Sequence, residues 1–248
     1  MIYIATHKLF EVPRINGYIP LQVGAYKSNI EGYLHDDTCD NISVKNPNYC
    51  ELTGLYWIWK NTADDFKGMV HYRRYFTQSL LGDKILRIDE IKELLKEYEM
   101  IVPYSIKHKG KTVRQQYSNS GFEKDIDTVE KVLLEMYPQY EKAFFDVMNG
   151  DRTYFYNMLV ARKEVFDNYC KWLFSVLFQV EQRVDLTGYT DYQKRIFGFL
   201  SERLLTVYVI HNDIKVIEMG VDGKAYNQDV VHKVYRGLKR KIMYFTRN

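Results

Sequence analysis

Short apolar runs rich in β-branched and aromatic residues alternate with amphipathic segments along most of the chain, and this alternation restricts the fold more than any other feature. "IYIAT" near the start, "KGMVHYRRYF" at 67–76 and "MIVPY" at 100–104 read as strands buried in a sheet. Between and after them lie helical patterns. "RIDEIKELLKEYE" sets Ile88, Ile91, Leu94 and Leu95 on one face, and "NYCELTGLYWIWKN" spaces Cys50, Thr53 or Gly54, Trp57 and Ile58 as a helix capped near Asn46 or Asn48. "DIDTVEKVLLEMYPQY", "YEKAFFDVM", "KEVFDNYCKWLFSVLFQVEQRV" and "GFLSERLLTVYVIHN" continue the helices, with "TYFYNMLVARK" a strand leading into the third of these. Strands alternating with helices predict an α/β layered fold around a largely parallel sheet. The stretch from "EVPRINGYIPLQVG" to "LHDDTCDNISVKNPNY" is dense in Pro, Gly, Asn, Asp and Ser, and reads as a long irregular binding loop.

A chain of 248 residues buries a sizeable core in one large domain. Neither an internal repeat nor a linker divides it, so residues 1–229 are expected to form the domain and 230–248 a tail. The three cysteines lack metal-ligand spacing and read as reduced thiols of a cytosolic protein. "MIYIATHKLF" lacks the basic leader and cleavage site of a signal peptide, and "WLFSVLFQV" is too short to span a bilayer. The 22 tyrosines suit either a ring-lined polar pocket or bulky core positions.

Charge is unevenly placed. Six Lys or Arg and no acid lie between Val231 and Asn248, so removing them from a net +3 leaves −3 for the body. In the tail, Val231, Val234, Tyr235, Leu238, Ile242 and Phe245 recur at helical spacing with Lys233, Arg236, Lys239, Arg240 and Lys241 around them. That pattern predicts a basic amphipathic C-terminal helix on an anionic membrane surface, or one packed on the body with a solvated basic face. A nucleic-acid-binding module would also use such a tail, but the acidic body and the lack of any nucleic-acid motif oppose it.

The arginine pair in "GMVHYRRYF" sharpens the functional question. Strand alternation would put His71 and Arg73 on one face and Tyr72 and Arg74 on the other. Two guanidiniums at a strand end suit a pyrophosphate; the alternative is an ion-pair network with Asp64, Asp65 or Asp83. A non-catalytic carbohydrate-binding protein is a further alternative, but neutral sugars have no need of such arginines.

The ordered blocks "DNISVKNPNYCELTGLYWIWKN", "GMVHYRRYF", "YNMLVARKEVFDNYCKWLF" and "GFLSERLLTVYV" resemble the bacterial glycosyltransferases of capsule and exopolysaccharide clusters catalogued as domain of unknown function 4422. The resemblance runs from Ile2 to about 210. It implies a GT-A-like, Rossmann-type layered fold and a hexosyltransferase taking a nucleotide-diphosphate sugar, with UDP-galactose or UDP-galactofuranose as first choice. It also implies an undecaprenyl-linked glycan acceptor, built at the inner face of the cell membrane, and no nucleic-acid partner. Many GT-A enzymes end the corresponding strand in Asp-x-Asp, which holds a divalent metal. Here His71 and Arg73 stand in place of those acids, so no cofactor is expected to be required, although Mn or Mg on Asp36, Asp37 and Asp40 remains open beside a solvated-loop reading of those acids.

Under the same resemblance Thr6, His7 and Lys8 would receive the base and ribose, while His71, Tyr72, Arg73 and Arg74 meet the pyrophosphate. Asn41, Ser43, Lys45 and Asn46 suit sugar hydroxyls and phosphate oxygens, or are turn and cap residues. Asn157 would contact the transferred sugar, and Arg203 is counted with it among the donor-binding residues. Glu202, beside Arg203 at the polar start of an apolar helix, is the first candidate for general base, or else a first-turn acid favouring the helix dipole. Asp191 is the second, with acceptor or donor-sugar binding as its alternative.

Overall fold

The structure is a computed structural model and describes residues 1–78 and 84–222. Its strands are β1 Ile2–Thr6, β2 Tyr18–Gln22, β3 Leu34–His35, β4 Phe66–His71, β5 Tyr75–Thr77, β6 Met100–Pro103, β7 Ile106–Lys107, β8 Arg152–Thr153, β9 Leu159–Arg162 and β10 Val216–Asp222. The helices are α1 Asn46–Tyr49, α2 Leu52–Asn61, α3 Ile88–Glu97, α4 Val113–Tyr117, α5 Glu123–Met136, α6 Glu141–Asn149, α7 Lys163–Glu181 and α8 Ile196–His211. Among the described residues, eight strands form one sheet in the order β3-β2-β1-β4-β9-β6-β10-β5. The neighbours β3, β2, β1 and β4 run parallel, as do β6 and β10, whereas β9 and β5 run antiparallel to the strands beside them. The α/β architecture with a mostly parallel sheet is therefore as the alternation predicts.

Two-residue alternation sends the sheet's side chains into two cores. Tyr3 and Ala5 of β1 join Met69 of β4 against α2, α5, α7 and α8, while Ile2 and Ile4 join Val70 against Ile91 and Leu95 of α3. Gly54 lets α2 lie close to the sheet, since a Cβ there would come within 2.7 Å of Val23 Cγ1. One of the buried charges joins the sheet to a helix. Lys67 of β4 has a fully buried side chain and donates to Asp167 Oδ1 of α7 at 2.7 Å. Asp167→Ala would leave that ammonium buried without its carboxylate, and should lower unfolding free energy by about 3–5 kcal/mol in a urea titration. A loss below about 1 kcal/mol would show that Lys67 reaches water.

Several local expectations are corrected. The predicted long loop contains β2 and β3, and β2 pairs along its length with β1. The predicted helix through Cys50 is broken there, because Cys50 takes φ 53 and ends α1 before α2 begins. β4 stops at His71. His71 N–H donates to Arg74 O at 3.1 Å and Arg74 N–H to His71 O at 2.9 Å, so Tyr72 and Arg73 form a tight turn. The predicted strand alternation of His71, Tyr72, Arg73 and Arg74 therefore does not hold. The expected strand through "TYFYNMLVARK" is interrupted by Tyr156 and Asn157 at φ 78 and 50. The expected C-terminal amphipathic helix and the boundary at 229/230 lie outside the described residues.

Candidate functional site

Among the described residues a cleft of roughly 500 Å³ opens at the carboxyl ends of β1 and β4. The chain leaves β1 toward β2 and β3 on one flank and returns with β4 on the other. The strand order thus reverses between β1 and β4, the place where open α/β sheets bind ligands. From β1 and the turn beyond it come Ala5, Thr6 and His7; from the β4–β5 turn come His71, Tyr72, Arg73 and Arg74. Asn46, Pro47, Cys50 and Glu51 contribute the α1–α2 junction, and Asp191 and Arg195 the segment before α8.

The guanidiniums are held by ring faces. Arg73 lies 4.9 Å over the Tyr72 ring and Arg74 4.5 Å over the Tyr156 ring. Arg195 sits 5.5 Å from the Phe199 ring and donates through Nε to Cys50 Sγ at 3.2 Å. Lys8 Nζ stacks on Tyr72 from 5.6 Å, and His7 meets the same ring edge-on. Among the described residues none of Lys8, Arg73, Arg74 and Arg195 forms an ion pair, and Asp64 is engaged by the N-terminal ammonium and Tyr3. Stacking fixes a guanidinium while leaving its N–H edge available. The cleft thus gathers positive charge aimed at open space.

The two histidines are kept neutral. Burial lowers the His7 pKa, helped by the charges of Lys8, Arg73 and Arg195. Burial also lowers that of His71; Glu51 and the Tyr156 carbonyl oppose this, while Arg74 and Arg195 add to it. His71 Nε2 is buried without a hydrogen-bond partner among the described residues.

Behind the cleft wall stands a second polar layer. Tyr156 and Asn157 both occupy the left-handed region, a strained conformation for a tyrosine. Glu202 holds this bend: its Oε1 accepts the Tyr156 N–H at 2.8 Å, and its Oε2 accepts from Arg203 Nη1 at 2.9 Å. Burial pushes the Glu202 carboxyl up to about 7, with Arg203 and the Tyr156 N–H pulling the other way. Arg203 is itself buried, donates to Phe199 O and Gln116 Oε1, and packs on the Tyr117 and Phe155 rings. Asn157 is 3% exposed; its Nδ2 donates to Gly198 O at 3.0 Å and to Glu51 Oε1 at 2.8 Å, and its Oδ1 accepts from Ser201 Oγ at 2.6 Å.

Of the residues singled out in the sequence, the cleft brings together Thr6, His7, His71, Tyr72, Arg73, Arg74 and Asp191, with Asn46 on its wall. Thr6 closes the turn after β1, accepting the Lys8 N–H. Asp191 is fully exposed on the rim and pairs with Lys194 at 3.3 Å. Asn46 spends its amide on Cys50 O and Thr53 Oγ1. Asn41 and Ser43 organise the preceding loop, and Lys45 pairs with Glu181 of α7 at 2.7 Å. Glu202, Arg203 and Asn157 form the layer behind. The reading of Asp36 as a solvated loop acid is corrected: it is buried and accepts the Gly24 and Ala25 N–H groups and the Ser43 hydroxyl. Asp40 is held by Lys60 and Tyr56. Among the described residues no group of three or more His, Cys, Asp or Glu is placed to hold a metal ion. Glu51 escaped the sequence reading. Its only signal was an acid just ahead of a helix, which is also ordinary capping chemistry.

Comparison with known proteins agrees with this geometry. The chain is similar to the solved apo structure of WbbM, described as a bifunctional glycosyltransferase, at 30% identity and a TM-score of 0.85. The match covers 90% of this chain and 45% of that one, so the chain spans less than half the length of that protein. No curated protein matches. No helix among the described residues is long and apolar enough to cross a membrane. The match to "Domain of unknown function (DUF4422)" over residues 1–213 places the chain in that family.

Proposed function

We propose that this chain transfers a hexose from a nucleotide-diphosphate sugar, held in the β1–β4 cleft, to a glycan hydroxyl. The observation that carries the reading is the convergence of Arg73, Arg74 and Arg195, none ion-paired among the described residues, at the switch point of a glycosyltransferase-like sheet. Sugar transfer breaks the bond between the anomeric carbon and the diphosphate, so negative charge grows on the leaving group. Preorganised guanidiniums stabilise that charge as it develops. In this reading they take the place that a metal fills in Asp-x-Asp enzymes, and His7 and Thr6 face the nucleoside side. His71, whose pKa burial lowers, lines the cleft beside them. Asp191, on the rim, faces the entering acceptor.

The donor is a UDP-hexose, galactose or galactofuranose in first place, and the acceptor an undecaprenyl-linked capsular or exopolysaccharide glycan. Both choices come from the resemblance to capsule-cluster enzymes. A thermal-shift screen of UDP-, GDP- and dTDP-sugars tests the class: one nucleotide should raise the melting temperature, and equally with manganese or with EDTA. No shift with any of them would count against the reading.

The same biology makes the enzyme a cytoplasmic one, peripherally bound to the membrane through its basic C-terminal tail. Each basic residue near an anionic surface contributes roughly 1 kcal/mol. The whole chain should float with anionic liposomes in low salt, and a chain ending at Asp229 should not; flotation that survives the truncation would refute the tail's role.

A further inference from the structure

Three acids stand at or behind the cleft, and their surroundings differ. Glu202 has both oxygens committed, one to the Tyr156 N–H and one to Arg203. Asp191 is wholly exposed, and among the described residues its ion pair is with the neighbouring Lys194. Glu51 alone is half-buried, lines the cleft and is gripped from behind. The grip is a relay of neutral groups: Ser201 fixes Asn157 Oδ1, Gly198 O fixes Asn157 Nδ2, and that amide then reaches Glu51 Oε1. A left-handed backbone at Asn157 makes the reach possible, and Asn tolerates it better than most residues. Such a buried, satisfied amide is an expensive support for an acid that only begins a helix. It suits a carboxylate whose direction matters.

We propose that Glu51 is the catalytic residue that takes the acceptor proton, and that Asn157 is the positioning residue that aims it; this rests on the donor reading above. The acceptor O–H proton passes to a Glu51 carboxylate oxygen. The freed electron pair on the acceptor oxygen forms the new bond to the anomeric carbon, on the side opposite the diphosphate. The old carbon–oxygen bond breaks with its pair leaving on the diphosphate, beside the arginines. The product then carries the inverted anomeric configuration. Water entering from the rim takes the acceptor's place in slow donor hydrolysis, which gives an assay without a glycan.

The experiment uses the full chain with UDP-galactose as donor, water as acceptor and UDP for binding. Glu51→Gln keeps the shape and the Asn157 contact but removes the base, so UDP release should fall at least a hundredfold with UDP affinity within threefold of the wild type. Asn157→Asp places a second carboxylate 2.8 Å from Glu51 and should move the acid limb of the kcat–pH profile up by one unit or more. A structural role alone would lower kcat at every pH without moving that limb. Wild-type turnover in folded Glu51→Gln, an unmoved limb in Asn157→Asp, or retained anomeric configuration in the released sugar overturns the proposal. A wild type that binds no UDP and releases none from UDP-galactose instead overturns the donor reading, and this proposal with it.

Discussion

Replacing Arg73 and Arg74 together by alanine is expected to lower kcat by at least three orders of magnitude while leaving the protein folded. A single preorganised donor aimed at developing charge is worth about 10²–10³ in rate. In the proposed reaction the two guanidiniums meet the same leaving group, so their losses will not simply add. Stability should hardly change, because Arg73 is exposed and neither residue is ion-paired among the described residues. Arg74→Ala should carry the larger effect of the two singles. Its guanidinium is half-buried on the Tyr156 ring, and what it touches in the cleft is better shielded from water. Steady-state kinetics beside a thermal melt separate the cases: turnover lost with an unchanged melt supports the assignment, and unchanged turnover contradicts it.

Glu202→Ala is expected to damage the fold and the site together. It strips Arg203, whose side chain is 1% exposed, of its carboxylate, and a buried charge left this way costs about 3–5 kcal/mol. It also frees the Tyr156 N–H and with it the bend that carries the ring under Arg74 and the amide behind Glu51. UDP affinity and turnover should therefore fall in parallel, unlike Glu51→Gln, where turnover alone falls. The pH dependence has a definite sign. The folded Glu202 carboxyl titrates near 7, against an ordinary value of 4.5, so between those values the folded protein holds a proton that the unfolded chain has released. This contribution is complete below about pH 4.5 and is lost as pH rises through about 7, on the order of 3 kcal/mol in all. Urea midpoints at pH 5 and pH 8 should show it in the wild type and not in Glu202→Gln.

The legible part of the fold is the part with a period. β1, β6, α3, α7 and α8 are runs whose apolar spacing matches one secondary structure and no other, and the structure forms them where that spacing lies. β2 was hidden by Pro20 and the turn residues around it; it is stabilised by pairing with β1 rather than by its own pattern. The break at Cys50 and the bend at Tyr156 and Asn157 use left-handed backbone at residues other than glycine, which no propensity announces. The turn at 71–74 was equally silent, since His, Tyr and Arg suit a strand as well as a turn. Its direction comes from the Ala5 carbonyl, which accepts the Tyr72 N–H, a contact 67 residues away in sequence.

The same distinction governs the site. The arginine pair announced itself, because two guanidiniums after an apolar strand demand an anion. Glu202 announced itself too, but its partner Tyr156 lies 46 residues away, and only folding reveals that its oxygens are occupied. Glu51 acquires meaning solely through Asn157, 106 residues further on. Long-range contacts of this kind decide which acid faces the cleft, and no local spacing encodes them.

The central claim is that the β1–β4 cleft binds a nucleotide diphosphate through its guanidiniums. Calorimetric titration of UDP into the wild type and into the Arg73→Ala, Arg74→Ala variant, with EDTA present throughout, tests it most directly. The account predicts a single site on the wild type whose affinity does not depend on added manganese, and affinity at least a hundredfold weaker in the variant. Equal affinity in the two proteins, or wild-type binding that appears only when manganese replaces EDTA, would contradict it.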